Sequence, residues 1–220
     1  MACVQTTQPM VALTFDDGPH PTYTPAILEI LDGYGVKATF FVLGRHAEQN
    51  PALLKTLVQE GHEIGNHSFF HHDLNKRRPE AIREEIRRTD DLIAAAGYEQ
   101  EILFRPPYGH ANFSVMSALK SMQRKIIRWD VDLRDWAGTA PEDMLAKFEQ
   151  IARPGTIVLL HDSSSNQQGD LPEVRHNREN TVEIVRLLLA TYIPQGYQFV
   201  TVSDLLAVGV PNPSSKACRG

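Results

Sequence analysis

Short apolar runs rich in β-branched and aromatic residues alternate along this chain with stretches whose apolar positions recur at helical spacing. Met10 to Phe15 predicts a first strand, closed by the turn signal Asp17-Gly18-Pro19. Thr24 to Asp32 carries Ile27, Leu28, Ile30 and Leu31 and stops before Gly33 and Gly35, as a helix does. Lys37 to Leu43 predicts the second strand, Pro51 to Glu60 a helix closed by Gly61, and His62 to His67 a short third strand. The clearest helix opens at Pro79. It sets Ile82, Ile86, Leu92 and Ile93 on one side and Glu and Arg on the other, and ends at Gly97. Ile102 to Arg105, Lys125 to Val131, Thr156 to Leu160 and Tyr197 to Val202 predict four further strands. Phe113 to Met122, Pro141 to Ala152 and Thr181 to Tyr192 predict helices, and the polar segment Ser163 to Arg178 a loop over one face.

About seven β–α units in series, with strands buried on both faces, call for a parallel sheet with helices outside. The predicted fold class is α/β, as a distorted (β/α) barrel of about seven parallel strands, with an open doubly wound sheet as the alternative. No repeat, low-complexity tract or linker interrupts the series, and 220 residues suit one domain over 1–220, with a core at about 9–208 and short tails. A barrel gathers its chemistry at the C-terminal ends of its strands. The unusual polar residues fall there: Asp16-Asp17 after the first strand, His67 after the third, Arg105 after the fourth, Asp132 to Trp136 after the fifth, and His161-Asp162 after the sixth.

Adjacent carboxylates at a strand end penalise each other's charge unless something positive sits between them. A metal ion does this, and His67 and His71, four residues apart just past a strand, add two imidazoles to one carboxylate. That makes a three-ligand set with positions left open. Alone, either histidine reads as a surface or hydrogen-bonded residue; Asp17 at a neighbouring strand end reverses the preference.

Thr14-Phe15-Asp16-Asp17-Gly18-Pro19, His67-Ser68-Phe69-Phe70-His71, Arg105-Pro106-Pro107-Tyr108-Gly109, Asp132-Leu133-Arg134-Asp135-Trp136 and Leu159-Leu160-His161-Asp162 resemble, in order, the five motifs of the polysaccharide deacetylases. These are the NodB-homology enzymes of carbohydrate esterase family 4. The resemblance implies a NodB-type barrel and a metal-dependent hydrolase. Asp17, His67 and His71 would hold one divalent metal, zinc by preference, with cobalt and nickel also suited to such a site. It implies Asp16 as general base paired with Arg105, and His161 as general acid partnered by Asp135. The Tyr108 backbone N–H would help stabilise the oxyanion, and Trp136 and Leu159 would form the pocket for the acetyl methyl. The implied substrate is a GlcNAc-containing polysaccharide, of chitin or peptidoglycan type, losing N-acetyl groups. Acetylxylan esterase activity, a small-amide hydrolase and a non-catalytic sugar-binding domain are the alternatives. The last of these expects a missing base, ligand or acid, and none is missing.

The net charge of −5 argues against a nucleic-acid or anionic-membrane partner, since both need clustered Lys and Arg. The one basic cluster, Lys76-Arg77-Arg78, is followed by Glu80, Glu84 and Glu85 and reads as a solvated helix start. No stretch reaches the roughly 18 apolar residues of a membrane span. Met1 to Pro9 lacks the features of a secretory signal. A cell-wall substrate nevertheless implies an extracellular or envelope location, with any signal removed and a cytoplasmic one left open. Cys3 and Cys218, at opposite ends, would close nearly the whole chain if paired, and a monomer is the default. His20, His46, His62, His110 and His176 lack comparable companions and read as surface or structural residues. His72 is expected to face solvent, Phe69 and Phe70 to pack, and Arg134 to face groove or solvent.

Overall fold

The structure, a computed structural model, describes residues 3–165 and 175–212. The chain opens on β1 (Cys3–Gln5), which pairs antiparallel with β9 (Val210–Asn212). The central sheet is parallel and built from β2 (Met10–Asp16), β3 (Thr39–Val42), β4 (Glu63–Asn66), β5 (Leu103–Phe104), β6 (Val131–Asp132), β7 (Thr156–His161) and β8 (Gln198–Val200). Its order is β5-β4-β3-β2-β7-β6. β8 lies beside Met10–Ala12, on the β2 edge whose upper part takes β3.

The predicted fifth strand closes the ring in two pieces. Phe104 bridges to Ile126, its N–H donating to Lys125 O and its own O accepting from Ile127 N–H. Further along, Val131 and Asp132 pair with β7. One broken strand therefore spans the gap between β5 and β7, which is the distortion in the barrel.

Around the sheet stand α1 (Tyr23–Gly33), α2 (Gly44–Gln49), α3 (Pro51–Gln59), α4 (Pro79–Ala95), α5 (Phe113–Ser121), α6 (Pro141–Ile151) and α7 (Glu179–Tyr192). A last helix, α8 (Val202–Val208), precedes β9. β2 shows why both faces must be apolar. Val11, Leu13 and Phe15 pack outward with α1, α6 and α7, while Met10 and Ala12 pack inward with Phe41, Leu103, Ile157, Val202 and Leu205. Each fully buried Leu or Phe of this kind contributes about 1.5–3 kcal/mol.

Three elements differ from the sequence expectation. The last strand ends at Val200, because Thr201 caps α8 by accepting the Asp204 N–H, and the buried Glu63 carboxylate accepts from Val202 N–H and the Ser203 hydroxyl. α8 so plugs the bottom of the barrel. The polar start of α2 masks that helix in the sequence. The expected tails instead form the β1–β9 pair, with Cys3 and Val4 buried. Cys3 is disulfide-bonded; Cys218, whose pairing with it the sequence leaves open, lies outside the described residues. Lys76, Arg77 and Arg78 are exposed just before α4, as expected.

Candidate active site

All ten sequence-derived site residues are described, and they gather at the C-terminal rim of the barrel. Among the described residues six non-glycines adopt left-handed φ, and five of them lie in the rim turns: Asp17, Ser68, His71, Tyr108 and Arg134. Such backbone strain concentrates where side chains or N–H groups must be aimed rather than merely packed.

Asp17, His67 and His71 offer ligand atoms that all lie within 4.8 Å of one another, and all three residues are buried. Asp17 Oδ1 is 3.7 Å from His67 Nε2 and 3.6 Å from His71 Nε2. These separations are too long for hydrogen bonds and close to the roughly 3.3–3.5 Å between ligands of one tetrahedral ion with bonds near 2.0–2.1 Å. Asp17 Oδ1 is a buried atom with no hydrogen-bond donor, which is costly for an anionic oxygen unless a cation meets it. His67 Nδ1 donates to the Arg105 carbonyl at 2.7 Å, which fixes the tautomer and leaves Nε2 as a lone pair facing Asp17. Burial, reinforced by His71, pushes the His67 pKa down to about 3, so it is neutral and ligand-competent. Burial also opposes the Asp17 charge, yet His71, His161 and His67 hold its carboxyl below the ordinary range. The trio fits a divalent cation.

Asp16 stands beside this cluster, its Oδ2 3.6 Å from His67 Nε2. Arg105, with no exposed surface, donates through Nη1 to Asp16 Oδ1 and to Thr14 Oγ1, both at 2.7 Å. Its guanidinium lies 4.1 Å from the Phe41 ring centroid. Burial lifts the Asp16 carboxyl above its ordinary range, opposed first by Arg105 and then by His161. Arg105 alone therefore does not bring this carboxyl down to the level the sequence reading expects of it. A cation on the neighbouring ligands would add to its effect.

His161 is the register partner of Asp16 across the parallel β2–β7 pair, so both side chains leave the sheet on one face. Its Nδ1 donates to Asp135 Oδ1 at 2.9 Å, leaving Nε2 for other work. Burial alone would lower its pKa, but Asp135, followed by Asp17 and Asp16, raises it to about 9. Asp135 is held below its ordinary range: burial opposes its charge, and His161, by charge and hydrogen bond, together with Arg178 and Thr181 more than offsets it.

Tyr108 is half-exposed, with φ of 58°, and its ring meets His71 edge-on at 4.6 Å between centroids. Leu159, buried and two residues before His161 on β7, points to the same face. Trp136 is partly buried, and the Arg134 guanidinium lies 4.9 Å from its ring.

Several residues with no expected catalytic or ligand role hold the site or its scaffold. His46, expected as surface or structural, is structural: its Nδ1 donates to the Asp17 carbonyl at 2.6 Å. His62 is also structural, buried, and accepts the Ala38 N–H. His72 is only partly exposed, because Nδ1 binds the buried Glu85 carboxylate at 2.6 Å, in place of the solvent-facing role expected. Trp129 packs beside Gly109 and lies 5.7 Å from the Arg105 guanidinium. Asp162 is fully buried, accepts from the Thr24 hydroxyl at 2.5 Å and leaves no room for a side chain at Gly18; burial pushes its pKa to about 7. Its place next to His161 was the signal available. Phe69 is buried under the Arg88 guanidinium, as expected, whereas Phe70, also expected to pack, is exposed. Of the predicted loop over Ser163 to Arg178, residues 166–174 lie outside the described residues. Its two flanks are joined by buried Arg178, which donates to the carbonyls of Ser163 and Asn177.

On one rim of an α/β barrel, three candidate cation ligands, a carboxylate–arginine pair and a histidine–carboxylate pair supply the donors, base and acid that metal-assisted hydrolysis uses. The family model for polysaccharide deacetylase matches residues 4–127. The chain is 37% identical over 205 residues to a peptidoglycan-N-acetylglucosamine deacetylase of Bacillus cereus, covering 92% of this chain and 91% of that one. It is 33% identical over 193 residues to a chitooligosaccharide deacetylase of Azorhizobium caulinodans, covering 86% and 91%. The solved structure of the Bc1960 peptidoglycan N-acetylglucosamine deacetylase matches with a TM-score of 0.83 at 30% identity, over 96% of this chain and 94% of that one. BA3943, a carbohydrate esterase family 4 pseudoenzyme from Bacillus anthracis, matches with a TM-score of 0.80 at 31% identity, over 94% and 68%. This chain belongs to the polysaccharide deacetylase family, carbohydrate esterase family 4.

Proposed function

We propose that this chain removes N-acetyl groups from a GlcNAc-containing polysaccharide, peptidoglycan or chitin-type, using one zinc ion held by Asp17, His67 and His71. The observation that carries the reading is the convergence of that trio with the Asp16–Arg105 and His161–Asp135 pairs on one rim. When bound, the cation supplies Lewis-acid activation of the acetyl carbonyl and of the attacking water. Asp16 takes the water's proton, with Arg105 holding its carboxylate in place. The Tyr108 backbone N–H donates to the developing oxyanion. His161, kept protonated by Asp135, donates from Nε2 to the departing nitrogen as the C–N bond breaks. Leu159 and Trp136 line the pocket for the acetyl methyl. The complete set of base, ligands and acid favours an active enzyme over a pseudoenzyme. Cobalt and nickel fit the same donors.

The chain acts as a single domain and a monomer outside the cytoplasm, where a cell-wall polymer lies; the disulfide-bonded Cys3 agrees with an oxidising compartment. The test is acetate release by metal-loaded protein from chitooligosaccharides, peptidoglycan and acetylated xylan, with Asp16→Asn as control. Release from either GlcNAc polymer, lost in Asp16→Asn, is expected. Release from xylan alone would replace N-deacetylation with ester hydrolysis, and none from any would favour a sugar-binding role.

A further inference from the structure

The two ligand histidines sit in a turn that ordinary backbone preferences resist. Ser68 and His71 have φ of 69° and 63°, a conformation that costs a non-glycine residue about 1–2 kcal/mol. Such a turn persists only when its surroundings over-determine it. Asn66, the fully buried last residue of β4, supplies that restraint. Its Oδ1 accepts the Ser68 N–H at 2.7 Å, and the Ser68 hydroxyl then accepts the His71 N–H at 3.1 Å. Its Nδ2 donates to the Ile86 carbonyl and to Asp90 Oδ1, both at 2.8 Å and both on α4. Its backbone carbonyl accepts the N–H of Arg105 at 3.0 Å. The other Asp90 oxygen accepts from Arg124 Nη2 at 2.8 Å and Nε at 3.3 Å. A continuous line of hydrogen bonds thus runs from the partly exposed Arg124 through Asp90, Asn66 and Ser68 to His71.

The polarity of this line leaves the Asn66 amide one orientation. Two acceptors face its NH2 group and one donor faces its oxygen, so a flipped amide would set oxygen against oxygen in a buried site. Asp90 is not part of the cation cluster, and the Asn66 amide is engaged by Ser68, Ile86 and Asp90 instead. Their effect on the cluster passes through the shape of the 67–71 turn.

We propose that Asn66, anchored by Asp90 and Arg124, is a positioning residue that sets the affinity of the Asp17–His67–His71 site for its divalent cation. This rests on the metal reading above. Without the anchor the turn relaxes from its left-handed conformation, and His67 and His71 lose their common focus on Asp17. Residues behind metal ligands commonly govern affinity in this way, by about 10–100-fold.

The experiment is competition for zinc between the protein and a chromophoric chelator. It compares wild type with Asn66→Ala, the near-isosteric Asn66→Asp, Asp90→Asn, and the double variant that combines Asn66→Asp with Asp90→Asn. Glu63→Gln, at the opposite end of the barrel, is the control for general destabilisation. Both Asn66 variants are expected to raise the zinc Kd by about 10–100-fold while keeping the wild-type circular dichroism spectrum. The double variant is expected to recover part of the loss relative to Asn66→Asp, because the Asp90→Asn change returns a donor to the pair. Glu63→Gln is expected to lower Tm and leave Kd unchanged. Unchanged Kd in the Asn66 variants, or an equal rise in Glu63→Gln, would overturn the proposal. A wild type with no zinc affinity would instead overturn the metal reading itself. Should the Asn66 variants not fold, Arg124→Ala decides: a rise of a few-fold supports the line, and an unchanged Kd sinks it.

Discussion

Asp135 holds His161 twice: Oδ1 accepts from the imidazole Nδ1 at 2.9 Å, and Oδ2 accepts from the backbone N–H of the same residue at 2.7 Å. Thr181, on α7, donates to Oδ2 as well, at 2.8 Å. One buried carboxylate therefore fixes the position, tautomer and charge of the proposed acid.

Removing that charge should move the alkaline limb of the rate profile. His161 owes its raised pKa, about 9, first to Asp135 working against burial. Asp135→Asn keeps the shape and loses the charge, so the alkaline limb of kcat should shift to lower pH and the maximum rate should fall. Acetate release across pH 5–10 measures both. An alkaline limb that stays in place would assign it to another group.

The same pair should leave a mark on stability. A histidine whose folded pKa is raised stabilises the fold fully below its unfolded pKa of about 6.5. That contribution is lost as pH rises through the folded pKa of about 9. Asp162 follows a separate window. Its raised carboxyl favours the neutral form, so its contribution is lost as pH rises from the ordinary carboxylate range through about 7. In metal-free protein, wild type minus His161→Gln should lose Tm between pH 6.5 and 9, and wild type minus Asp162→Asn should lose it lower. A difference flat across both windows would contradict the assignments.

Metal removal should cost both activity and stability. A cation that binds only the folded protein stabilises it by about 4 kcal/mol at a thousand times its Kd. Dialysis against a chelator should abolish acetate release and lower Tm, and zinc should restore both. His71→Ala should show a lower Tm that zinc no longer corrects. Full activity after verified metal loss would remove the three-ligand site from the mechanism.

Gly18 has no space for a side chain. A Cβ there would fall 2.1 Å from Asp162 Oδ2 and 2.4 Å from Oδ1. Gly18→Ala should destabilise by about 1–3 kcal/mol and displace the neighbouring Asp17. Calorimetry of Gly18→Ala with and without Asp162→Ala checks the cause, since the second change should return much of the lost Tm.

Most strands and helices were legible because barrel strands buried on both faces leave dense apolar runs, and the outer helices leave a 3.6-residue stripe. β2, β7 and α4 fell within a residue or two of expectation. α8 was hidden because Val202 continues an apolar run while its start is fixed by Thr201 and by Glu63, distant in sequence. β1 and β9 were hidden because two short, unremarkable segments gain meaning only from each other.

The sequence by itself determined a parallel α/β fold and the residues at its strand ends, since hydrophobic period and motif order are local properties of the chain. Tertiary structure alone decided what those residues are to one another. It set Asp16 opposite His161 in register, buried Arg105 beneath Asp16, and turned His46 and Asn66 into supports. The reason is physical: charge states, tautomers and ligand distances depend on burial and on partners far apart in sequence, and only the folded chain brings those together.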